Sequence, residues 1–229
     1  MLNSPPPAPP VIAIDGPSAS GKGTVAQRVA QALQFHYLDS GALYRLCALA
    51  AEQRNIAFDD GPGLARLARD LDIQFLGDRI LLEGQDVTEA VRSESCSIKA
   101  SRIAVVPALR AALLQKQRDF RCLPGLVCDG RDIGSVVFPD AALKVYLTAS
   151  PEVRAERRTK QLKEKGMCAK MQDVINELKH RDERDSARPV APLRHYSDAR
   201  LLDTTAMSID EAIDQVVEWY RETSRAVAM

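Results

Sequence analysis

The run Gly16-Pro17-Ser18-Ala19-Ser20-Gly21-Lys22-Gly23-Thr24 has the residue types needed to hold phosphate. Its glycines let successive backbone N–H groups turn toward one point, where polyphosphate oxygens can accept from them. The apolar run Val11-Ile12-Ala13-Ile14 precedes it, and apolar residues at helical spacing follow: Val25, Ala26, Val29, Ala30 and Leu33. Strand, loop and helix in that order also aim a helix N-terminus at the anion. Lys22 adds a mobile ammonium near the β- and γ-phosphates, so a bound nucleoside triphosphate is expected. The strict form of such a loop places Ser or Thr directly after the lysine, whereas here Gly23 comes before Thr24. The sequence leaves open whether Thr24 meets Mg2+ directly, touches a phosphate, or acts through water.

Further segments carry charge in patterns that suit phosphoryl chemistry. Tyr37-Leu38-Asp39-Ser40-Gly41-Ala42-Leu43-Tyr44-Arg45 offers a carboxylate, a hydroxyl and a guanidinium, and Arg45 can clamp a second phosphate with two parallel bonds. The plainer reading is a helix cap by Asp39 or Ser40, with Arg45 in solvent. Asp129-Gly130-Arg131-Asp132 follows the apolar Leu126-Val127-Cys128. A carboxylate there suits a Mg2+-associated acid, with Arg131 offsetting phosphate charge; a turn with capping aspartates is the alternative. Arg154, Arg157 and Arg158 have i, i+3, i+4 spacing, which puts three guanidiniums on one helix face. Arg181, Arg184 and Arg188 form a second basic cluster, interleaved with Asp182, Glu183 and Asp185. Alone, such clusters read as solvated, salt-bridged helices. Beside a triphosphate loop, and flanking Gly166, they read as preorganised charge for a transferring phosphoryl group.

These groups need a scaffold that brings them to one place. Apolar strand signals recur at Val11 to Ile14, Phe35 to Leu38, Leu126 to Cys128, Leu143 to Leu147 and Leu201-Leu202, with helical patterns between them. That alternation predicts a parallel sheet with helices on both faces, and such sheets bind ligands beyond the carboxyl ends of their strands. Ser208 and Glu211 form a capping box before the apolar stripe Ile209, Ala212, Ile213, Val216, Val217 and Tyr220. Ser150 is placed to cap a helix opened by Pro151, with Glu152 in its first turn. From Asp72 to Val87 the pattern changes. Ile73-Gln74-Phe75, Arg79 to Leu82 and Asp86-Val87-Thr88 read as short strands separated by turns at Gly77-Asp78 and Glu83-Gly84-Gln85, an antiparallel meander inserted into the alternation.

Composition narrows the classes further. The 229 residues suffice for one sizeable α/β core. Lysine plus arginine equals aspartate plus glutamate, 31 each, and no aromatic-interleaved basic patch is present, so a nucleic-acid partner is not expected. Cys47, Cys96, Cys122, Cys128 and Cys168 are scattered without a C-x-x-C pair, which suits reduced thiols in the cytoplasm better than disulfides or zinc. Met1 to Pro10 is proline-rich and reads as a disordered lead-in, not a signal peptide, and no membrane span is expected.

Taken together, Gly-x-x-x-x-Gly-Lys-Gly-Thr, Leu38 to Arg45, Asp129 to Gly134 and Arg181 to Arg188 resemble the bacterial cytidylate kinases, within the nucleoside monophosphate kinases. The motifs run in family order from about Val11 to Thr205, nearly the whole chain. The resemblance implies an α/β phosphate-loop NTPase fold: a central parallel sheet flanked by helices, a monophosphate-binding insertion at about 60–104 and a short lid at about 153–168. It implies ATP on residues 16–24 (Gly16, Pro17, Ser18, Ala19, Ser20, Gly21, Lys22, Gly23 and Thr24), with Arg157 and Arg158 from the lid. The acceptor, CMP or dCMP, would meet Asp39, Ser40, Arg45, Ser101, Arg110, Arg131, Asp132, Arg181, Asp185 and Arg188. Lys22, Asp129, Arg131 and Arg188 would bear on the transfer, and Mg2+ would arrive with ATP, through Thr24, Asp129 or water. Asp132 can accept from the cytosine amino group while Arg110 and Ser101 serve the acceptor edge. A mismatched buried edge costs up to about 10⁴–10⁵-fold where nothing compensates, so CMP is expected to be preferred over UMP without excluding it. The alternatives are a kinase of UMP or AMP, or a nucleotide-binding module without turnover. A monomer is expected.

Overall fold

The computed structural model describes residues 8–76, 79–164 and 166–228. The predicted turn at Gly77-Asp78 and most of the proline-rich lead-in lie outside the described residues. β1 (Val11–Asp15) leads through the phosphate loop to α1 (Lys22–Leu33), then to β2 (His36–Asp39) and α2 (Ser40–Gln53). A different stretch follows: α3 (Gly61–Asp70), β3 (Ile73–Leu76), β4 (Arg79–Leu82), β5 (Gln85–Asp86), α4 (Thr88–Val91), α5 (Glu94–Ile103) and α6 (Pro107–Arg118). The alternation resumes with β6 (Leu126–Gly130), a π-helical turn at Ile133–Val137, β7 (Leu143–Thr148), α7 (Pro151–Glu164), α8 (Met171–Ser186), β8 (Arg200–Asp203) and α9 (Ile209–Ala228).

Five strands form one parallel sheet in the order β2-β6-β1-β7-β8. Both faces are covered, which is why these strands read as continuous apolar runs. Val11, Ala13, Leu38 and Cys128 face a core shared with α2, α3, α5 and α6. Ile12, Ile14, Val127 and Leu147 face the other, against Val25 and Val29 of α1 and Val216 and Val217 of α9. Register brings the chemistry level: Asp39 pairs with Asp129, and Asp15 with Gly130, at the carboxyl ends of three adjacent strands.

The local signals behave as their chemistry requires. Ser208 Oγ accepts from the Glu211 N–H at 3.2 Å and Glu211 Oε2 accepts from the Ser208 N–H at 2.8 Å, a complete capping box. Ser150 Oγ accepts from the Val153 N–H at 3.3 Å. Two boundaries move. Phe35 closes α1 by donating its N–H to the Ala30 carbonyl at 2.8 Å, so β2 starts at His36 and runs to Asp39. The meander is real, with order β3-β4-β5, but its third strand stops at Asp86. Asp86 Oδ1 accepts from both the N–H and the hydroxyl of Thr88, which turns the chain into α4. Among the described residues, no helix is long and apolar enough to cross a membrane.

Candidate functional site

A cavity of about 280 Å³ opens at the carboxyl end of the sheet, with the phosphate loop as its floor. The loop starts where β1 ends because Gly16 lies against β7. A Cβ there would stand 2.0 Å from the Leu147 carbonyl oxygen, so no side chain fits. Gly21 has a φ of 92°, and Ala19 takes a left-handed φ of 58° without a glycine's freedom. Lys22 Nζ folds back to the Pro17 carbonyl at 3.2 Å. Burial first, then the neighbouring Arg131 charge, holds the Lys22 ammonium well below the ordinary lysine range.

The three α7 arginines do not share one task, which corrects the picture of a common guanidinium face. Arg154 is buried, donates to the Ser18 carbonyl at 3.1 Å and to the Ala149 carbonyl, and pairs with Asp182. Asp182 in turn accepts from the Ser18 N–H at 3.2 Å. Arg157 donates to the Ser20 carbonyl at 3.0 Å and to the Thr204 carbonyl at 2.7 Å. Arg158 turns the other way and pairs with Glu94 at the start of α5. Two of the guanidiniums therefore brace the loop from outside, and the third ties α7 to α5. Gln161, one turn further along α7, faces into the cavity.

At the end of β2, the capping half of the plainer reading holds, and its solvent-facing arginine does not. Asp39 caps α2, accepting from the Ala42 N–H at 3.1 Å, and also pairs with Arg45. Ser40 donates its hydroxyl to the Asp129 carbonyl at 2.7 Å. Arg45 is not in solvent; it lines the cavity, and its Nε is buried without a hydrogen-bond partner.

The segment after β6 supplies the opposite wall. Asp129 is buried; desolvation and the Asp39 charge raise its carboxyl above the usual carboxylate range, and Lys22 pulls the other way. Tyr37 donates its hydroxyl to Asp129 Oδ1 at 2.8 Å. Arg131 donates to Asp185 Oδ2 at 2.7 Å and to the Ser18 hydroxyl at 3.0 Å, joining the loop to α8. Burial would raise Asp185, but the Arg131 and Arg188 guanidiniums outweigh it and hold the carboxyl low. Asp132 pairs with Arg110 of α6, which stacks over the Tyr44 ring at 5.8 Å. Beneath this wall, Asp15 accepts from the Ile133 and Gly134 N–H groups at 2.8 and 2.9 Å and so fixes the π-helical turn. Burial pushes its carboxyl up to about 7.

Nearly every residue singled out by sequence lies at this cleft. Ser18, Ala19, Gly21, Lys22, Gly23 and Thr24 line it from the loop, while Gly16, Pro17 and Ser20 shape the loop from behind. Asp39, Ser40 and Arg45, then Ser101 and Arg110, then Asp129, Arg131 and Asp132, then Arg181, Asp185 and Arg188 line it in turn. Arg157 and Arg158 border it without lining it. Arg184 stands apart: it is exposed and donates to the His180 carbonyl within its own helix. Sequence reasoning missed Asp15, Tyr37, Tyr44 and Gln161, whose roles arise from tertiary contacts. Only the Tyr37 and Tyr44 positions, inside the Asp39 segment, carried a hint.

Charge at the site is unbalanced. Among the described residues, six cations line the cleft, Lys22, Arg45, Arg110, Arg131, Arg181 and Arg188, against the four carboxylates of Asp39, Asp129, Asp132 and Asp185. Arg181 Nε is buried without a hydrogen-bond partner, and burial with the Arg131 charge lowers the guanidinium to about 10. Arg188 Nε and Ser101 Oγ are also buried and unpartnered. Such a cleft is complementary to multiply anionic ligands.

A family model described as cytidylate kinase matches residues 12–222. Among curated proteins, the chain is 59% identical over 213 residues to a cytidylate kinase of Chromobacterium violaceum, covering 93% of this chain and 96% of that one. It is 58% identical over 217 residues to a cytidylate kinase of Nitrosomonas europaea, covering 95% and 97%. Among solved structures, a gluconokinase from Sinorhizobium meliloti shares the fold, with a TM-score of 0.52 at 13% identity and 96% coverage of each chain.

Proposed function

We infer that this chain, which belongs to the cytidylate kinase family, transfers the γ-phosphoryl group of ATP to CMP and dCMP, giving the diphosphates and ADP. One observation carries the reading: Arg45, Arg181, Arg188 and Ser101 bring buried, unpartnered donors to the same cleft as the phosphate loop. Each buried donor left unpaired costs about 1–3 kcal/mol, more when charged. The loop and Lys22 account for one polyphosphate, and the three guanidiniums suit a second phosphate beyond it, with Ser101 beside them for the acceptor's base.

In this reading the loop amides from Gly16 to Thr24 and the Lys22 ammonium hold ATP, with Arg157 and Arg158 closing from the lid at about 153–168. Asp39, Ser40, Arg45, Ser101, Arg110, Arg131, Asp132, Arg181, Asp185 and Arg188 hold the acceptor, beside the insertion at about 60–104. An acceptor phosphate oxygen bonds to the γ-phosphorus as the bond to the β–γ bridging oxygen breaks, and ADP leaves with that oxygen's electrons. Lys22, Arg131 and Arg188 offset the charge that spreads over the moving group, so positioning and electrostatics supply the catalysis. Asp132, held by Arg110, accepts from the cytosine amino group.

Mg2+ accompanies ATP. Thr24 and Asp129 would hold it, directly or through water, and when bound it neutralises charge on the β- and γ-phosphates. The donor set fits such an ion. Thr24 is exposed to the cleft, and a Cβ on Gly23 would stand 3.9 Å from each Asp129 carboxylate oxygen. Among the described residues no three His, Cys, Asp or Glu side chains cluster into a self-sufficient metal site, so most ligands come with the nucleotide.

The test is an ADP-release assay across CMP, dCMP, UMP and AMP on the monomer expected here. CMP and dCMP should give the highest kcat/KM and UMP a lower value. Equal or better turnover of UMP or AMP would overturn the acceptor assignment, and no turnover of any would overturn the transferase reading.

A further inference from the structure

We propose that Tyr37 is a positioning residue for the transfer, its hydroxyl fixing the Asp129 carboxylate in the orientation that faces the phosphate loop. The proposal rests on the kinase reading above. Tyr37 and Asp129 come from neighbouring parallel strands, β2 and β6, with Tyr37 paired to Val127 and Asp39 to Asp129. Side chains alternate along a strand, so Tyr37, Asp39, Val127 and Asp129 share one face. That face is the one covered by α1: Val127 is buried in its core, and Tyr37 packs against the same cluster.

Two carboxylates level on adjacent strands repel unless each has its own partner. Asp39 spends its oxygens on the Ala42 N–H and on Arg45, both in α2. Asp129 has one hydrogen bond to its carboxylate among the described residues, from the Tyr37 hydroxyl to Oδ1 at 2.8 Å. The hydroxyl also sits against the loop. A Cβ on Gly23 would lie 3.6 Å from Tyr37 Oη and 3.9 Å from both Asp129 oxygens. The ring therefore fills the gap between α1 and the sheet, while its hydroxyl sets the rotation of the carboxylate and leaves Oδ2 for the cleft. Tyr37 does not itself line the cavity, so whatever it contributes passes through Asp129.

Tyr37→Phe keeps the ring and removes the hydroxyl. Partners that orient a group beside a bound ion typically contribute about 10–100-fold, so kcat should fall about tenfold while KM for CMP holds. Calorimetric titration with ATP should show the gain in affinity on adding Mg2+ shrinking at least about threefold, with metal-free affinity unchanged. Its stoichiometry also counts folded sites, so kcat is expressed per competent molecule. In an Asp129→Asn background, adding Tyr37→Phe should cost nothing further. A purely structural tyrosine would lower the melting temperature and leave kcat and the Mg2+ gain alone; that result, or additive losses in the double variant, overturns the proposal. The ATP titration needs no acceptor. An unchanged Mg2+ gain sinks the Tyr37 role even if no acceptor is turned over, and the acceptor panel alone decides the kinase reading.

Discussion

Lys22 is a buried cation whose ordinary protonation is penalised by its surroundings. The unfolded chain keeps that proton to higher pH than the folded one, so the residue costs stability below the ordinary lysine pKa, increasingly on acidification until its lowered value is passed. Lys22→Met should therefore raise the melting temperature by a few degrees while lowering kcat roughly 10²–10³-fold. A calorimetric scan and a steady-state assay on one preparation check both, and unchanged kcat would refute its role. Asp15 has the opposite charge and the opposite sign. The unfolded chain releases its proton near 3.8 and the folded chain near 7, so stability falls as pH rises between those values and is flat above. That loss is on the order of 4 kcal/mol. Asp15→Asn should flatten it, read as a smaller difference in urea midpoint between pH 5 and pH 8 than the native chain shows. Lys22 was legible because its glycine neighbours announce it. Asp15 was not: it reads as the last residue of an apolar strand, and its task depends on a turn that arrives 118 positions later.

At the scale of elements, the spacing of Arg154, Arg157 and Arg158 predicts one guanidinium face, and the structure gives the three different partners. Helical periodicity sets which side chains are neighbours, but not what stands opposite each. Opposite Arg154 stand loop carbonyls and Asp182, opposite Arg158 stands Glu94. Arg154→Ala leaves Asp182 and the Ser18 carbonyl without their donor, a loss of about 2–3 kcal/mol after allowing for Asp182's partial exposure. For a chain of this size that is roughly 5–10 °C in melting temperature. Arg184→Ala, from the cluster that looked equivalent, removes only an exposed contact and should stay within about 0.5 kcal/mol. A paired thermal melt separates them, and equal losses would contradict the assignment. The capping box of α9 and the Ser150 cap were readable because their partners lie three residues away. The third meander strand ends sooner than its pattern predicts because the Asp86 side chain accepts from Thr88 and turns the chain into α4.

For the molecule as a whole, the alternation of strands and helices foretold the parallel sheet, and the sheet's geometry foretold where its polar residues gather. What pattern alone did not show is how the two sides of the cleft meet. Arg158 of α7 and Glu94 of α5 tie together two helices that both contribute to the cleft, and Arg158 is then engaged before any nucleotide arrives. Glu94→Gln should free it for the ATP phosphates and lower KM for ATP by about two- to fivefold, the scale of a partly exposed charge pair. An ATP titration at saturating CMP measures this, and a raised KM would show that the pair supports binding instead of competing with it. The surplus of guanidiniums around Arg181 has a practical corollary for handling the protein. Sulfate, citrate or inorganic phosphate in a storage buffer will find a welcome there, protecting against heat while mimicking a competitive inhibitor. Buffers built on chloride or acetate are the ones in which its true kinetics will be seen.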